Sequence, residues 1–119
     1  MPNDSLADLT AQVRGFADAR DWQQFHSPKN LAAAMTVEAG EVLEHFQWLT
    51  EAESEALSAE KRSEVELELA DVLIYLVRLA DRLGVDLIAA AARKVAINGE
   101  KYPVEQAKGS NRKYTDRQP

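Results

Sequence analysis

The sequence predicts an all-α protein, assembled as a four-helix bundle, and three observations carry that expectation. Apolar residues return at three- and four-residue intervals, as one face of a helix requires. Helix formers such as Ala, Leu, Glu, Arg and Lys recur, while the 119 residues hold only 5 Gly and 4 Pro, mostly outside the periodic stretches. No segment alternates apolar and polar residues as a strand does, and no internal repeat is visible.

The first helix is expected over residues 5–20, where Leu6, Leu9, Val13 and Phe16 share a face and Ser5 or Asp4 caps the start. The segment DWQQFHSPKN interrupts that period. Ser27-Pro28 then reads as an N-cap followed by a first-turn proline, opening a second helix that runs to about Leu49. Residues 50–58, TEAESEALS, are acidic and read as a solvated connection. A long third helix follows, capped by Ser58 or Ser63 and stopped by Gly84. Asp86 caps a fourth helix to about Ile97, closed by Asn98-Gly99, and residues 100–119 form an irregular tail, basic around Arg112 and Lys113. The whole is expected to be a single domain, 1–119.

The third helix carries Leu67, Leu69, Ala70, Val72, Leu73, Ile74, Leu76, Val77, Leu79 and Ala80 around most of its circumference. A helix apolar nearly all round needs cover on several sides. Three neighbours in so small a domain supply too little, so a homo-oligomer is expected, dimer or tetramer. A central helix in a tight monomeric bundle is the alternative.

Composition narrows the function. A net charge of −6 argues against sequence-independent binding to nucleic-acid polymers or anionic membranes. With no Cys there is no disulfide framework and no thiolate chemistry, in keeping with a cytoplasmic protein. The first ten residues, MPNDSLADLT, lack the basic and apolar regions of a signal peptide, and charges at Arg78, Asp81 and Arg82 interrupt the longest apolar run.

Two pairs of carboxylates need explaining: Glu38 and Glu41 in VEAGEVLEHFQW, and Glu68 and Asp71 in ELELADVLIYLV. Spacing of three puts each pair on one helix face. Glu38 projects among Leu31, Ala34 and Val42, and Glu41 lies about 60° to one side. Glu68 and Asp71 share a stripe with Tyr75 and Arg78. Helical glutamates usually line a solvated face, which suits Glu44, Glu60, Glu64 and Glu66 but not Glu38. An interhelical salt-bridge network through Arg78 or Lys94 is a second alternative. Burying several carboxylates unpaired costs several kcal/mol each, so a bound cation is the third and favoured reading. Oxygen-only ligands select hard ions, Mg²⁺ or Mn²⁺. Neither the Glu-x-x-His of di-iron bundles nor an EF-hand loop is present.

Those acids, with their neighbours, resemble a known family. Glu-x-x-Glu followed after a spacer by Glu-x-x-Asp is similar to the metal motif of the all-α nucleoside triphosphate pyrophosphohydrolases, the MazG-like group. DWQQFHSPKNLA, EAGEVLEHFQW, ELADVLIYLVRLA, VAINGEKYP and KGSNRKYT resemble, in the same order, segments of its dCTP pyrophosphatase branch. Val37 stands where the wider family often has a further Glu, and Val13 where the animal enzymes are expected to carry a histidine near the base. The resemblance implies a MazG-like fold and hydrolysis of a nucleoside triphosphate, dCTP or a 5-modified dCTP favoured, to the monophosphate and pyrophosphate. It implies Mg²⁺ (or Mn²⁺) held by Glu38, Glu41, Glu68 and Asp71. Tyr75, Lys94 and Asn98 are then expected at phosphates or sugar, and Trp22, His26 and Trp48 at the base. Without the resemblance, Trp22 and Trp48 would read as core anchors. Other functional readings are the same chemistry on another dNTP, or a non-catalytic helical oligomerisation module.

Overall fold

A computed structural model describes residues 5–116, and all regular structure among them is helical. Four helices exceed ten residues: α1 (Leu6–Ala19), α2 (Pro28–Glu44), α4 (Ala59–Leu83) and α5 (Leu87–Lys101). Two single-turn helices, α3 (Glu51–Ser54) and α6 (Val104–Ala107), lie between and after them.

Polar side chains at the helix starts account for most of these boundaries. Ser5, Ser27, Ser58 and Asp86 each accept a hydrogen bond from the backbone N–H three residues on, which satisfies a donor that the first turn leaves open. Ser58 rather than Ser63 caps α4; Asp4, the alternative cap of α1, lies outside the described residues. α4 ends where Gly84 turns left-handed at φ +67°, with the Val85 N–H reaching back to the Ala80 carbonyl at 2.8 Å. Nothing crowds a β-carbon at Gly84, so Gly84→Ala pays for backbone handedness alone. Chemical denaturation should show a loss of about 1 kcal/mol.

Three boundaries depart from the sequence expectation. α2 stops at Glu44, five residues short of Leu49, and the chain continues in tight turns through Phe46 and Leu49. Downstream, Thr50 is extended, at ψ 165°, and closes a reciprocal capping box with Glu53 at the head of α3. That box makes a helical turn within the stretch expected to be a solvated connection. α5 runs through Asn98-Gly99 to Lys101, because the stronger stop is Pro103, which bars helical geometry at Tyr102. The tail also holds more structure than expected: α6 forms, and Tyr114 lies edge-on to Tyr102 at 5.9 Å with Lys101 Nζ 5.0 Å from its ring.

The chain divides after Val85 into two compact units. In the first, α4 packs chiefly against α2 and also against α1, with Ala17, Leu31, Val65, Val77 and Ala80 buried. Arg78 is buried with them at 3% exposure. The second unit holds α5, α6 and the tail, and every residue from 91 to 100 is exposed in it. No helix among the described residues is long and apolar enough to cross a membrane.

Candidate active site

Among the described residues α2 and α4 make the most extensive helix contact, and the acids sit along it. Helical spacing brings Glu38 and Glu41 to one face of α2, and packing brings Glu68 of α4 across to them. One carboxylate oxygen from each of the three lies within 4.8 Å of the others. Asp71 is exposed and outside this close group, yet its charge acts on both Glu38 and Glu68.

The electrostatics of the trio are unfavourable as it stands. Burial, then hydrogen bonding and charge from Glu41, push the Glu38 carboxyl up to about 6. Hydrogen bonding to Glu41, followed by burial, also raises Glu68, partly offset by His45. The Oε2 atoms of Glu38 and Glu68 are both buried without a hydrogen-bond partner. Buried acceptors are normally satisfied, so an orphaned pair inside an acidic cluster marks a place for a cation. The donor set is all oxygen and fits a hard divalent ion.

The solvated-face reading holds for Glu44, Glu60, Glu64 and Glu66, all exposed. The salt-bridge reading does not hold for Arg78. Its guanidinium turns to Asp81, with Nη1–Oδ2 at 3.3 Å, and donates from Nε to His26 Nδ1 at 3.1 Å. Asp81 in turn takes a two-pronged bond from Arg14 of α1. Arg78 therefore belongs to a separate ionic network.

The aromatic candidates divide. Trp48 follows α2 and is 86% exposed, which removes the core-anchor reading. Trp22 is 41% exposed and lies edge-on to Phe16 at 5.7 Å and to His26 at 6.0 Å. Phe16 also lines an apolar cavity of about 230 Å³, with Leu9, Gln12, Val13 and Ile74. Val13, at the position where the animal enzymes are expected to carry a histidine near the base, lines this cavity. Tyr75 is half-buried on α4, one turn beyond Asp71, whereas Lys94 and Asn98 are exposed on α5 in the second unit.

Two features escaped the sequence reading. His45 stands between α4 side chains, with Lys61 Nζ 3.2 Å from Nδ1 and Glu68 Oε1 3.8 Å from Nε2. Its spacing of four from Glu41 was visible, but its neighbours on α4 were not. Arg78 and Arg82 both reach His26, a pairing across more than fifty residues that no local pattern signals.

Comparison with known proteins shows the family. The MazG-like family profile matches residues 33–116, which includes all four acids. Human dCTP pyrophosphatase 1 is 45% identical over 97% of this chain and 69% of its own length. The rat protein of the same name matches to the same extent. The crystal structure of a pyrophosphatase from Archaeoglobus fulgidus superposes with a TM-score of 0.79 at 39% identity, covering 87% of this chain and 96% of that one. Identity at that level over nearly the full length excludes a non-catalytic helical module. The chain belongs to the MazG-like family, and it is an enzyme of that family's nucleoside triphosphate pyrophosphohydrolase class.

Proposed function

We propose that this protein is a Mg²⁺-dependent nucleotide pyrophosphatase that hydrolyses a deoxynucleoside triphosphate, dCTP or a modified dCTP, to the monophosphate and pyrophosphate. The observation that carries the metal assignment is the meeting of Glu38, Glu41 and Glu68 with two buried oxygens unpartnered. Asp71, exposed beside them, completes the set of four. When bound, magnesium supplies the positive charge that an acidic protein needs to receive a triphosphate and to stabilise the departing pyrophosphate. The carboxylates hold that charge between α2 and α4 and offer an acceptor for the attacking water's proton as the bond to pyrophosphate breaks. Tyr75, Lys94 and Asn98 are assigned to phosphate and sugar.

The base is assigned to Trp22, His26 and Trp48; of these, Trp22 lies edge-on to Phe16, which lines the apolar cavity together with Val13. An indole as exposed as Trp48 is free to stack on a base, an interaction of about 1–3 kcal/mol in single-strand binders. Trp48→Ala should raise KM about tenfold or more at unchanged thermal stability. An unaltered KM for every nucleotide removes Trp48 from the pocket.

Substrate choice is tested by a release screen across canonical and 5-modified dNTPs with Mg²⁺. Phosphate is expected only after added inorganic pyrophosphatase, and most strongly with dCTP or its modified forms. Phosphate without that addition overturns the cleavage position; a stronger signal from another dNTP redirects the substrate assignment.

The assembly is proposed to be a homodimer or homotetramer. Leu67 and Leu69 of α4 are 71% and 53% exposed, and Val95 and Val104 of the second unit are 70% exposed each. Singly exposed apolar residues are common on monomers, but an interface along α4 would cover Leu67 and Leu69. Sedimentation should give a dimer or tetramer mass, and Leu67→Glu should lower it. A monomer at all concentrations rejects the assembly.

A further inference from the structure

Between α1 and α2 the chain turns sharply: Asp21 takes a positive φ of 52°, Gln23–Phe25 form a 3₁₀ turn, and His26 precedes the cap of α2. Two arginines of α4 hold the end of this segment. Arg78 Nε donates to the ring Nδ1 of His26 at 3.1 Å, and Arg82 Nε donates to its backbone carbonyl at 3.1 Å. Arg78 is itself fixed, being 3% exposed and paired with Asp81.

A guanidinium donates only, so His26 Nδ1 must present a lone pair, and the neutral ring then carries its proton on Nε2. Protonating Nδ1 would break the bond and face one cation with another. In agreement, burial and the charges of Arg78 and Arg82 hold the His26 pKa below the ordinary histidine value. The ring so fixed lies 6.0 Å, edge-on, from Trp22.

We infer that Arg78 is a positioning residue for base recognition: it locks His26 as the Nε2–H tautomer and, with Arg82, ties the Trp22-bearing segment to α4. This rests on the reading of Trp22 and His26 as base contacts. It also adds a specificity rule. Neutral His26 can offer a nucleotide only an N–H donor, which matches a carbonyl or ring-nitrogen acceptor and not an exocyclic amino group.

The test begins on the full-length protein without nucleotide, so that it does not depend on substrate. ¹⁵N-resolved NMR of the histidines above the ordinary histidine pKa should show His26 as the Nε2–H form in the wild type. Arg78→Met should give a tautomer mixture. Because that variant removes one of the two guanidinium partners of Asp81 and leaves only Arg14, Arg78→Met/Asp81→Asn is made beside it as a charge-balanced form. Both should raise KM for the preferred dNTP about tenfold, the order expected from losing one hydrogen bond to a charged group. The values of kcat and the Mg²⁺-induced thermal shift should stay within about twofold of wild type. Arg78→Lys should recover part of the KM effect, since a lysine donates but lacks the fork that holds His26 and Asp81 together.

An Nδ1–H tautomer in the wild type, or an unchanged tautomer in both Arg78 variants, overturns the lock. A tautomer lost without change in KM overturns the positioning role. Trp22→Ala with unchanged KM would instead defeat the base-pocket reading, and the NMR result would stand apart from it.

Discussion

Glu38→Gln is expected to lose at least about 10²-fold in kcat/KM, the loss typical of deleting one electrostatic contact to a charge-transfer site. The amide keeps the shape of the carboxylate and removes its charge. Glu38 is where the balance between stability and function is most exposed, because its Oε2 is buried without a partner beside two other acids. Neutralising it relieves repulsion in the metal-free protein, so its melting temperature should hold or rise above pH 7 while activity falls. The Mg²⁺-induced thermal shift should shrink in the same variant. Glu41→Gln and Glu68→Gln should behave alike, and Asp71→Asn should lose activity in the same direction. A Glu38→Gln enzyme with full Mg²⁺-dependent turnover rejects the metal assignment, whereas one that melts early in the metal-free state shows that the carboxylate is structural.

Adding Mg²⁺ at about one hundred times its dissociation constant should stabilise the protein by about 2.7 kcal/mol, or about 10 °C in melting temperature for a domain of this size. EDTA should reverse the shift. The size of the shift should depend on pH, and its sign follows from Glu38. Its carboxyl titrates near 6 in the folded protein against 4.5 as an ordinary side chain. Between those values the folded state binds more protons than the unfolded one, so metal-free stability falls as pH rises from about 4.5 through about 6. Glu68, also raised, adds to the same slope. Metal ligation requires the deprotonated oxygens, so the benefit of Mg²⁺ should grow over that window and level off above it. Thermal melts at several pH values, with Mg²⁺ and with EDTA, read both slopes. A metal-free protein that grows more stable across this window, or a Mg²⁺ shift largest at low pH, contradicts the cluster's electrostatics.

Most of the local structure was legible because it depends on residues within one turn of each other. Ser27-Pro28, Ser58, Gly84 and Asp86 mark helix ends in the sequence and act as such in the fold. Spacing alone put Glu38 and Glu41 on one face of α2. The end of α5 was misjudged because neighbouring signals compete: Asn98-Gly99 yields to Pro103. The Thr50–Glu53 box, a local signal as well, was passed over in an acidic stretch.

Tertiary packing decided the rest. Helical periodicity tells which side chains share a face, but not what stands opposite, because the distance between two helices is set by how their side chains interlock. Only the packing of α4 on α2 brings Glu68 within 4.8 Å of the α2 acids and leaves Asp71 on the exposed side. Asp81 is a partner within one turn of Arg78 on α4, but only the tertiary structure brings His26 to it, across fifty-two residues. The sequence by itself determined an all-helical chain and which faces bear charge; the fold decided which of those charges meet, since an energy that falls with distance has no value until the distance is known.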